Sequence, residues 1–229
     1  MSWKTKYRSF YYEGAPEPAD PVLVRGQVAL LVIDVQNTYL VRPDPASMDE
    51  AARARDAAWA PFHARMHGLV IPTIARLQAR FRADGHEVIH ARIACQTRDG
   101  RDRSLSQKMP GWNNLLLPKD EWESAIVPEI APAGDEIVVT KTTDSALTGT
   151  NLRLILHNLG IRQVVACGIF TDQCVSSTVR SLADESFEVL VVEDACAAAT
   201  ERLHDHELEI INMIYGHVMR ADDVLGYLP

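Results

Sequence analysis

Three side chains far apart in this 229-residue chain have the types needed for acyl chemistry: a thiol, an acid and an ammonium. Cys174 follows the apolar run Gln163–Phe170 after a short polar turn, Thr171-Asp172-Gln173, and the residues after it, Val175 to Glu185, read as a helix. A thiol at a strand-to-helix junction sits beside unpaired backbone N–H groups and the positive end of the helix dipole, which favour a thiolate. The competing reading is a buried small hydrophobe, the usual state of a free cysteine. Asp34 ends the uniformly apolar run Val28–Ile33. Partial desolvation there raises a carboxyl pKa and suits a base near neutral pH, although an aspartate after a strand also caps turns. Lys141 follows Glu136–Thr140. It could hold a carboxylate and a thiolate by charge, lowering the thiol pKa, or simply leave the strand for solvent.

The elements that must position these residues alternate. Short runs rich in β-branched residues predict strands at Val28–Ile33, Glu87–Ile93, Glu136–Thr140, Gln163–Gly168, Glu188–Val192 and His217–Arg220. Helical patterns lie between them, near 69–84, 151–159, 174–185, 202–214 and 221–228, and Gly85, Gly160 and Gly216 fall where helices should stop. Alternating strands and helices predict a parallel sheet covered by helices on both faces. Asp34, Lys141 and Cys174 then follow strands one, three and four at their carboxyl ends. In a doubly wound sheet, strands one and four are neighbours where the winding reverses, and ligands bind at that edge.

Two stretches break the rhythm. Residues 35–67 carry Pro43 and Pro45 and then an Ala/Arg-rich helix, and residues 94–131 form a long insertion of the kind that makes lids and binding loops. Residues 1–26, with Trp3, Tyr7, Phe10, Tyr11 and Tyr12, read as an arm preceding one domain over 27–229, packing on the body or on a neighbouring subunit.

A formal charge of −8 argues against nucleic acid. The densest basic patch, Arg98, Arg101, Arg103 and Lys108, is interleaved with Asp99 and Asp102. The polar N-terminus lacks a signal-peptide pattern and no run approaches membrane-spanning length, so a cytoplasmic protein is expected. Cys95, Cys167, Cys174 and Cys196 form neither a CxxC pattern nor a disulfide framework.

Ala29-Leu-Leu-Val-Ile-Asp-Val-Gln-Asn37, Val138-Val-Thr-Lys-Thr-Thr-Asp-Ser-Ala-Leu-Thr-Gly-Thr150 and Gly168-Ile-Phe-Thr-Asp-Gln-Cys-Val-Ser-Ser-Thr178, in that order, resemble the isochorismatase-like cysteine hydrolases. The segment Val191–Ala197 is similar to the family's stretch after the fifth strand, and the likeness covers residues 27–228. The resemblance implies a three-layer α/β/α sandwich with a six-stranded parallel, Rossmann-like sheet, a triad of Asp34, Lys141 and Cys174, and a homo-oligomer (dimer or tetramer). It also implies a cis peptide joining Ile169 and Phe170, an oxyanion hole from the backbone N–H groups of Phe170 and Cys174, and no cofactor.

Departures from relatives point to a branch. The nicotinamidase branch binds a metal through an Asp-x-His pattern after the first strand, whereas Asn37 to Glu50 contains no histidine. His63 and His67 share a helical face as metal ligands would, but in an Ala/Arg-rich setting typical of a surface helix, so no metal is expected. The segment from Leu116 to Ile130 is similar to the ureidoacrylate and N-carbamoyl amidohydrolase branch, and the ending Gly216 to Pro229 is similar to biuret-type hydrolases. The implied activity is hydrolysis of a C–N bond in a small linear amide or carbamoyl compound through a thioester. The alternatives are a nicotinamidase or maleamate-type amidase, and a redox protein with Cys167 as resolving thiol. Specificity is expected from Asn37, Tyr39, His90, Arg92, Trp112, Phe170 and Thr171. Asn37 and Thr171 also suit turn caps, His90 alternates along its strand as a packed residue, Arg92 would attract a substrate carboxylate if it faced the cleft, and Trp112 is the lid candidate.

Overall fold

The computed structural model describes residues 2–229. Strand β1 (Val28–Ile33) is buried along its whole length, as a strand covered on both faces must be. The short helix α1 (Asn37–Leu40) and the long α2 (Glu50–Arg65) follow. A π-helical turn at Met66–Val70 carries the chain into α3 (Ile71–Ala83). Ile71, Ile74, Leu77 and Phe81 of α3 are buried, an i, i+3, i+4 stripe facing the sheet. Strand β2 (Glu87–Ile93) leads to the insertion, which carries a small antiparallel hairpin of β3 (Lys108–Met109) and β4 (Asn113–Asn114) and isolated bridges between Cys95 and Pro118 and between Ile126 and Gln36.

The second half continues with β5 (Ile137–Lys141), α4 (Leu152–Asn158), β6 (Gln163–Ile169), α5 (Ser176–Asp184), β7 (Glu188–Ala197), α6 (Glu201–Ile211), β8 (His217–Met219) and α7 (Ala221–Tyr227). The main sheet has six parallel strands in the order β5-β2-β1-β6-β7-β8. Helix α3 packs with α7, and α5 with α6, giving the helical layers of a three-layer α/β fold. The winding reverses between β1 and β6. There Ile33 pairs with Gly168, and on the other side of β1 Ile93 pairs with Lys141, so the carboxyl ends of four strands share one edge.

The structure moves three sequence expectations. Strand β7 runs on to Ala197, past the predicted end at Val192, after a register shift between Ala166 and Gly168 on its neighbour. Helix α6 stops at Ile211 rather than near 214, where the buried Asn212 takes over. Its side chain accepts from Val218 N at 3.0 Å and donates to Tyr7 O at 3.0 Å. Gly85 and Gly160 do end helices with φ of 73°, but Gly216 serves a different need. A Cβ there would meet Val189 O at 2.6 Å, so the glycine permits close approach of two backbones.

The N-terminal arm folds back on its own body. Trp3 Nε1 donates to Tyr227 Oη at 3.2 Å, while Lys6 and Tyr7 both bind the buried Glu193 carboxylate in the middle of β7. Phe10 and Tyr11 stay exposed.

Candidate active site

Asp34 is the first residue beyond β1, with φ of 54°, the left-handed region that non-glycine residues seldom occupy. Its backbone N–H donates to Ala91 O at 2.9 Å on β2. Gln36 braces the same turn from below: its side chain accepts from Ile93 N at 2.8 Å and donates to Ile93 O and Ser124 O at 2.9 Å. The neighbouring strand must come very close here. A Cβ on Gly168 would lie 2.0 Å from Ile33 O, and Gly168 itself has φ of 121°. The carboxylate is thus fixed by β1 and delivered to the sheet edge by backbone geometry on both sides.

Lys141 is the last residue of β5 and, at 1% exposure, one of the largest fully buried side chains of the protein. Its Nζ lies 2.7 Å from Asp34 Oδ2, donates to Thr143 O at 3.0 Å and to Cys174 Sγ at 3.4 Å. Cys174 sits in a π-helical turn, Thr171–Val175, immediately ahead of α5. Its Sγ also faces Asp144 Oδ1 at 3.9 Å. The peptide bond between Ile169 and Phe170 is cis. The structure therefore brings Asp34, Lys141 and Cys174 together, and Lys141 bridges the other two.

Burial governs the electrostatics. It pushes the Asp34 carboxyl up, against the opposing pull of Lys141. Burial alone would lower Lys141, but attraction to Asp34 and Cys174 overrides it and holds the ammonium above its ordinary value. Burial also pushes the Cys174 thiol well up, and the Asp34 charge adds to this while Lys141 opposes it. Lys141 does pull the thiol downward, as expected, but burial outweighs that pull and the net direction is upward, which corrects the expectation of a lowered thiol pKa.

Asp34 and Cys174 open onto a cavity of 630 Å³ at the carboxyl edge of the sheet. Of the expected specificity residues, Tyr39, Trp112 and Phe170 line it, and Trp112 is largely exposed at its mouth. Arg92, Asn37 and Thr171 do not line it, which corrects their assignment. Arg92 is half-buried on β2 with its Nε donating to Thr140 Oγ1 at 3.3 Å. Asn37 staples the insertion, donating from Nδ2 to Trp122 O at 2.9 Å and from its backbone N–H to Ala125 O at 3.0 Å. Thr171 is fully buried, its hydroxyl 2.8 Å from His204 Nδ1.

Sequence reasoning missed Trp59, Gln107, Asp144 and Asp172 as lining residues. Trp59 lies on the Ala/Arg-rich helix and meets Phe170 at a 6.0 Å ring separation, a contact that pattern alone does not reveal. Asp144 and Asp172 fall inside the two motifs already quoted, and that placement was the available signal. His90, also an expected specificity residue, does not line the cavity and takes its packed alternative: it is fully buried beside Gln78 and burial pushes its pKa down to about 4. His63 is buried and His67 exposed, and among the described residues no group of three His, Cys, Asp or Glu side chains is arranged to hold a metal.

Comparison with known proteins identifies the family. The isochorismatase domain family model matches residues 28–223. The chain belongs to the isochorismatase family. As a member of that family it is a hydrolase. The chain is 28% identical over 223 residues to ureidoacrylate amidohydrolase RutB of Pseudomonas syringae pv. syringae, covering 90% of this chain and 86% of the relative. It is 28% identical over 172 residues to N-carbamoylsarcosine amidase of Arthrobacter sp, covering 73% of this chain and 64% of that enzyme. Among solved structures, an isochorismatase family protein from Burkholderia thailandensis superposes with a TM-score of 0.72 at 28% identity, covering 92% of this chain and 99% of the other. No helix among the described residues is long and apolar enough to cross a membrane.

Proposed function

We propose that this isochorismatase-family protein hydrolyses a C–N bond in a small linear amide or ureido compound through a Cys174 thioester. The observation that carries the reading is the position of Lys141 Nζ, 2.7 Å from Asp34 Oδ2 and 3.4 Å from Cys174 Sγ, beside a cavity that the acid and the thiol both line. The names of the similar enzymes, an amidohydrolase and an amidase, support the same bond type.

A thiol and a carboxylate whose pKa values are both pushed up by burial are suited to general-base activation at the moment of attack. Asp34 takes the Cys174 proton as Sγ bonds to the substrate carbonyl carbon. The tetrahedral oxyanion is held by the backbone N–H groups of Phe170 and Cys174, each such donor being worth about 3–4 kcal/mol. The C–N bond then breaks, and Asp34 gives its proton to the departing ammonia or amine. A water loses a proton to Asp34 and attacks the thioester; the C–S bond breaks and the proton returns to sulfur. Lys141 keeps its charge throughout and offsets the negative charge that passes between Asp34 and Sγ.

The redox alternative is disfavoured because Cys167 is fully buried in β6 with its thiol donating to Leu31 O at 3.7 Å, toward β1. A homo-oligomer in the cytoplasm is part of the proposal: Phe10, Tyr11, Trp112 and Trp122 are exposed aromatics and all four cysteines are free. The test is an ammonia-release screen over carbamoyl amino acids, ureidoacrylate, biuret, maleamate and nicotinamide. At least one should be turned over by the wild type and by neither Cys174→Ala nor Asp34→Asn. Undiminished turnover by Cys174→Ala would remove the reading.

A further inference from the structure

Three polar side chains from three different elements meet behind the nucleophile, and none of them lines the cavity. Thr171 opens the π-helical turn that carries Cys174 and is fully buried. Its backbone carbonyl accepts from Ser176 N just beyond that turn, and its hydroxyl lies 2.8 Å from His204 Nδ1. His204, on α6, is 2% exposed, and its other ring nitrogen, Nε2, lies 2.9 Å from Arg65 Nη2. Arg65 is the last residue of α2. Among the described residues it has no acid within salt-bridge distance. Its guanidinium instead donates to two carbonyls of β7, from Nε to Cys196 O at 3.1 Å and from Nη2 to Glu193 O at 2.9 Å.

These donors and acceptors connect in one direction only. A guanidinium has N–H groups and no acceptor. Nη2 carries two hydrogens, and with one on Glu193 O the other is left for His204. His204 Nε2 must therefore present its lone pair, because an imidazolium would set N–H against N–H. Burial, with the Arg65 charge beside it, agrees by pushing the His204 pKa down to about 3. A neutral imidazole has a single ring proton, which is then on Nδ1 and is donated to Thr171 Oγ1. Arg65 thus dictates a tautomer two elements away from its own helix.

Each bond satisfies a buried polar group, but the place where the chain ends gives it a consequence for the reaction. The turn from Thr171 to Val175 sets Cys174 Sγ at 3.4 Å from Lys141 Nζ. With Thr171 tied through both its carbonyl and its hydroxyl, the turn cannot rotate about its own axis without breaking a buried bond. A shift of about 1 Å at a reacting atom can cost on the order of a hundredfold in rate.

We propose that Arg65, His204 and Thr171 form a one-way hydrogen-bond relay, Arg65 Nη2–H to His204 Nε2 and His204 Nδ1–H to Thr171 Oγ1, that positions the nucleophile. All three are then positioning residues that act through the turn, and the proposal rests on the reading of Cys174 as that nucleophile.

Two measurements test the relay. Long-range 1H–15N correlation of the histidine side chains at neutral pH, with His204 assigned through the backbone, reads the tautomer in the wild-type enzyme without turnover. Nδ1 should be protonated and Nε2 not, and in Arg65→Met that one-sided state should be lost. Steady-state kinetics on the best substrate of the ammonia-release screen read the consequence. Thr171→Val and His204→Leu should each lower kcat by about tenfold to a hundredfold with KM unchanged. Thr171→Ser keeps the accepting oxygen, and His204→Asn places an amide N–H where Nδ1–H stood, so each should recover most of the loss. A melt of every variant separates the roles, because a purely structural contact would lower Tm and leave kcat alone at temperatures where the variant is folded. His204 protonated on Nε2 or on both nitrogens in the wild type would overturn the relay. So would folded Thr171→Val or His204→Leu working at the wild-type kcat, or Thr171→Ser no better than Thr171→Val. Where Thr171→Val or His204→Leu yields no folded protein, the wild-type tautomer and a near-normal kcat in Thr171→Ser still decide. Loss of the thioester reading has a separate signature, hydrolysis surviving Cys174→Ala, which leaves the His204 tautomer as it is.

Discussion

Replacing Lys141 by methionine tests the ion pair at the centre of the site. Methionine keeps most of the lysine volume, so the main change is that Asp34, 99% buried by its 1% exposure, loses the ammonium 2.7 Å away. Removing one partner of a buried pair costs about 3–5 kcal/mol. A second route to the number agrees. The variant can escape the buried charge by protonating Asp34, which at pH 7 costs about 1.4 kcal/mol for each of the roughly 3 pH units above an ordinary aspartate pKa, or about 4 kcal/mol. In a chain of this size that is a fall in Tm of roughly 6–20 °C. The sign with pH follows from linkage. Asp34 in the variant has a folded pKa raised above its unfolded value, so its neutral form is fully retained below the unfolded value, and stability is lost as pH rises toward the folded one. The deficit against wild type should thus be largest at neutral pH and vanish near pH ~4. Thermal and urea melts of the wild type, Lys141→Met and the Asp34→Asn/Lys141→Met double variant read this directly. The double variant, with both charges gone, should recover most of the loss. A single variant as stable as wild type at pH 7, or a double variant no better than the single, would refute the buried ion pair.

Other outcomes follow from particular contacts. Thr171→Val should lower stability by about 1–3 kcal/mol through the lost bond to His204 while leaving KM unchanged, since Thr171 is outside the cavity; steady-state kinetics and a melt separate the two, and a raised KM with an unchanged melt would contradict the placement. Gly168→Ala, whose Cβ would lie 2.0 Å from Ile33 O, should yield little soluble protein, and a variant melting as the wild type does would count against the close approach of β1 and β6. Burial alone would raise the Glu193 pKa, but Lys6 and Tyr7 hold it below the usual carboxylate range. A depressed pKa means that its stabilisation is present above the unfolded value and lost as pH falls through the folded one. The arm should therefore become sensitive to limited proteolysis only below pH ~4, and cleavage as slow at pH ~3 as at pH ~7, or as fast at pH ~7 as at pH ~3, would argue against this anchoring.

The fold was legible where one physical demand dominates a segment. The unbroken apolar run of β1 can only be a strand buried on both faces, and Asp34 and Lys141, polar residues terminating such runs, mark the edge where the sheet opens. What was not legible depended on competition between effects or on loop shape. The thiol pKa is a contest between a helix terminus and desolvation, and sequence gives the first without the magnitude of the second. Thr171 and Asn37 have the composition of turn caps and of ligand contacts alike; only the positions of His204 and Trp122 decide between them. Arg92 lies on a strand whose register determines which way it turns, and Gln107 reaches the cavity because the insertion folds over it, far from any periodic pattern. Gly216 carried the composition of a helix stop but answers to Val189, a residue 27 positions earlier that is its neighbour only in space.

The central claim is that carbon bonds to the sulfur of Cys174 during turnover. Quenching the enzyme in acid within the first turnovers of the best substrate from the ammonia-release screen, then measuring intact and peptide masses, tests this most directly. An acyl adduct of the substrate's mass on the Cys174 peptide, absent in Cys174→Ala and decaying as product forms, is the predicted result. Continued product formation with the Cys174 peptide unmodified at every time point would contradict it.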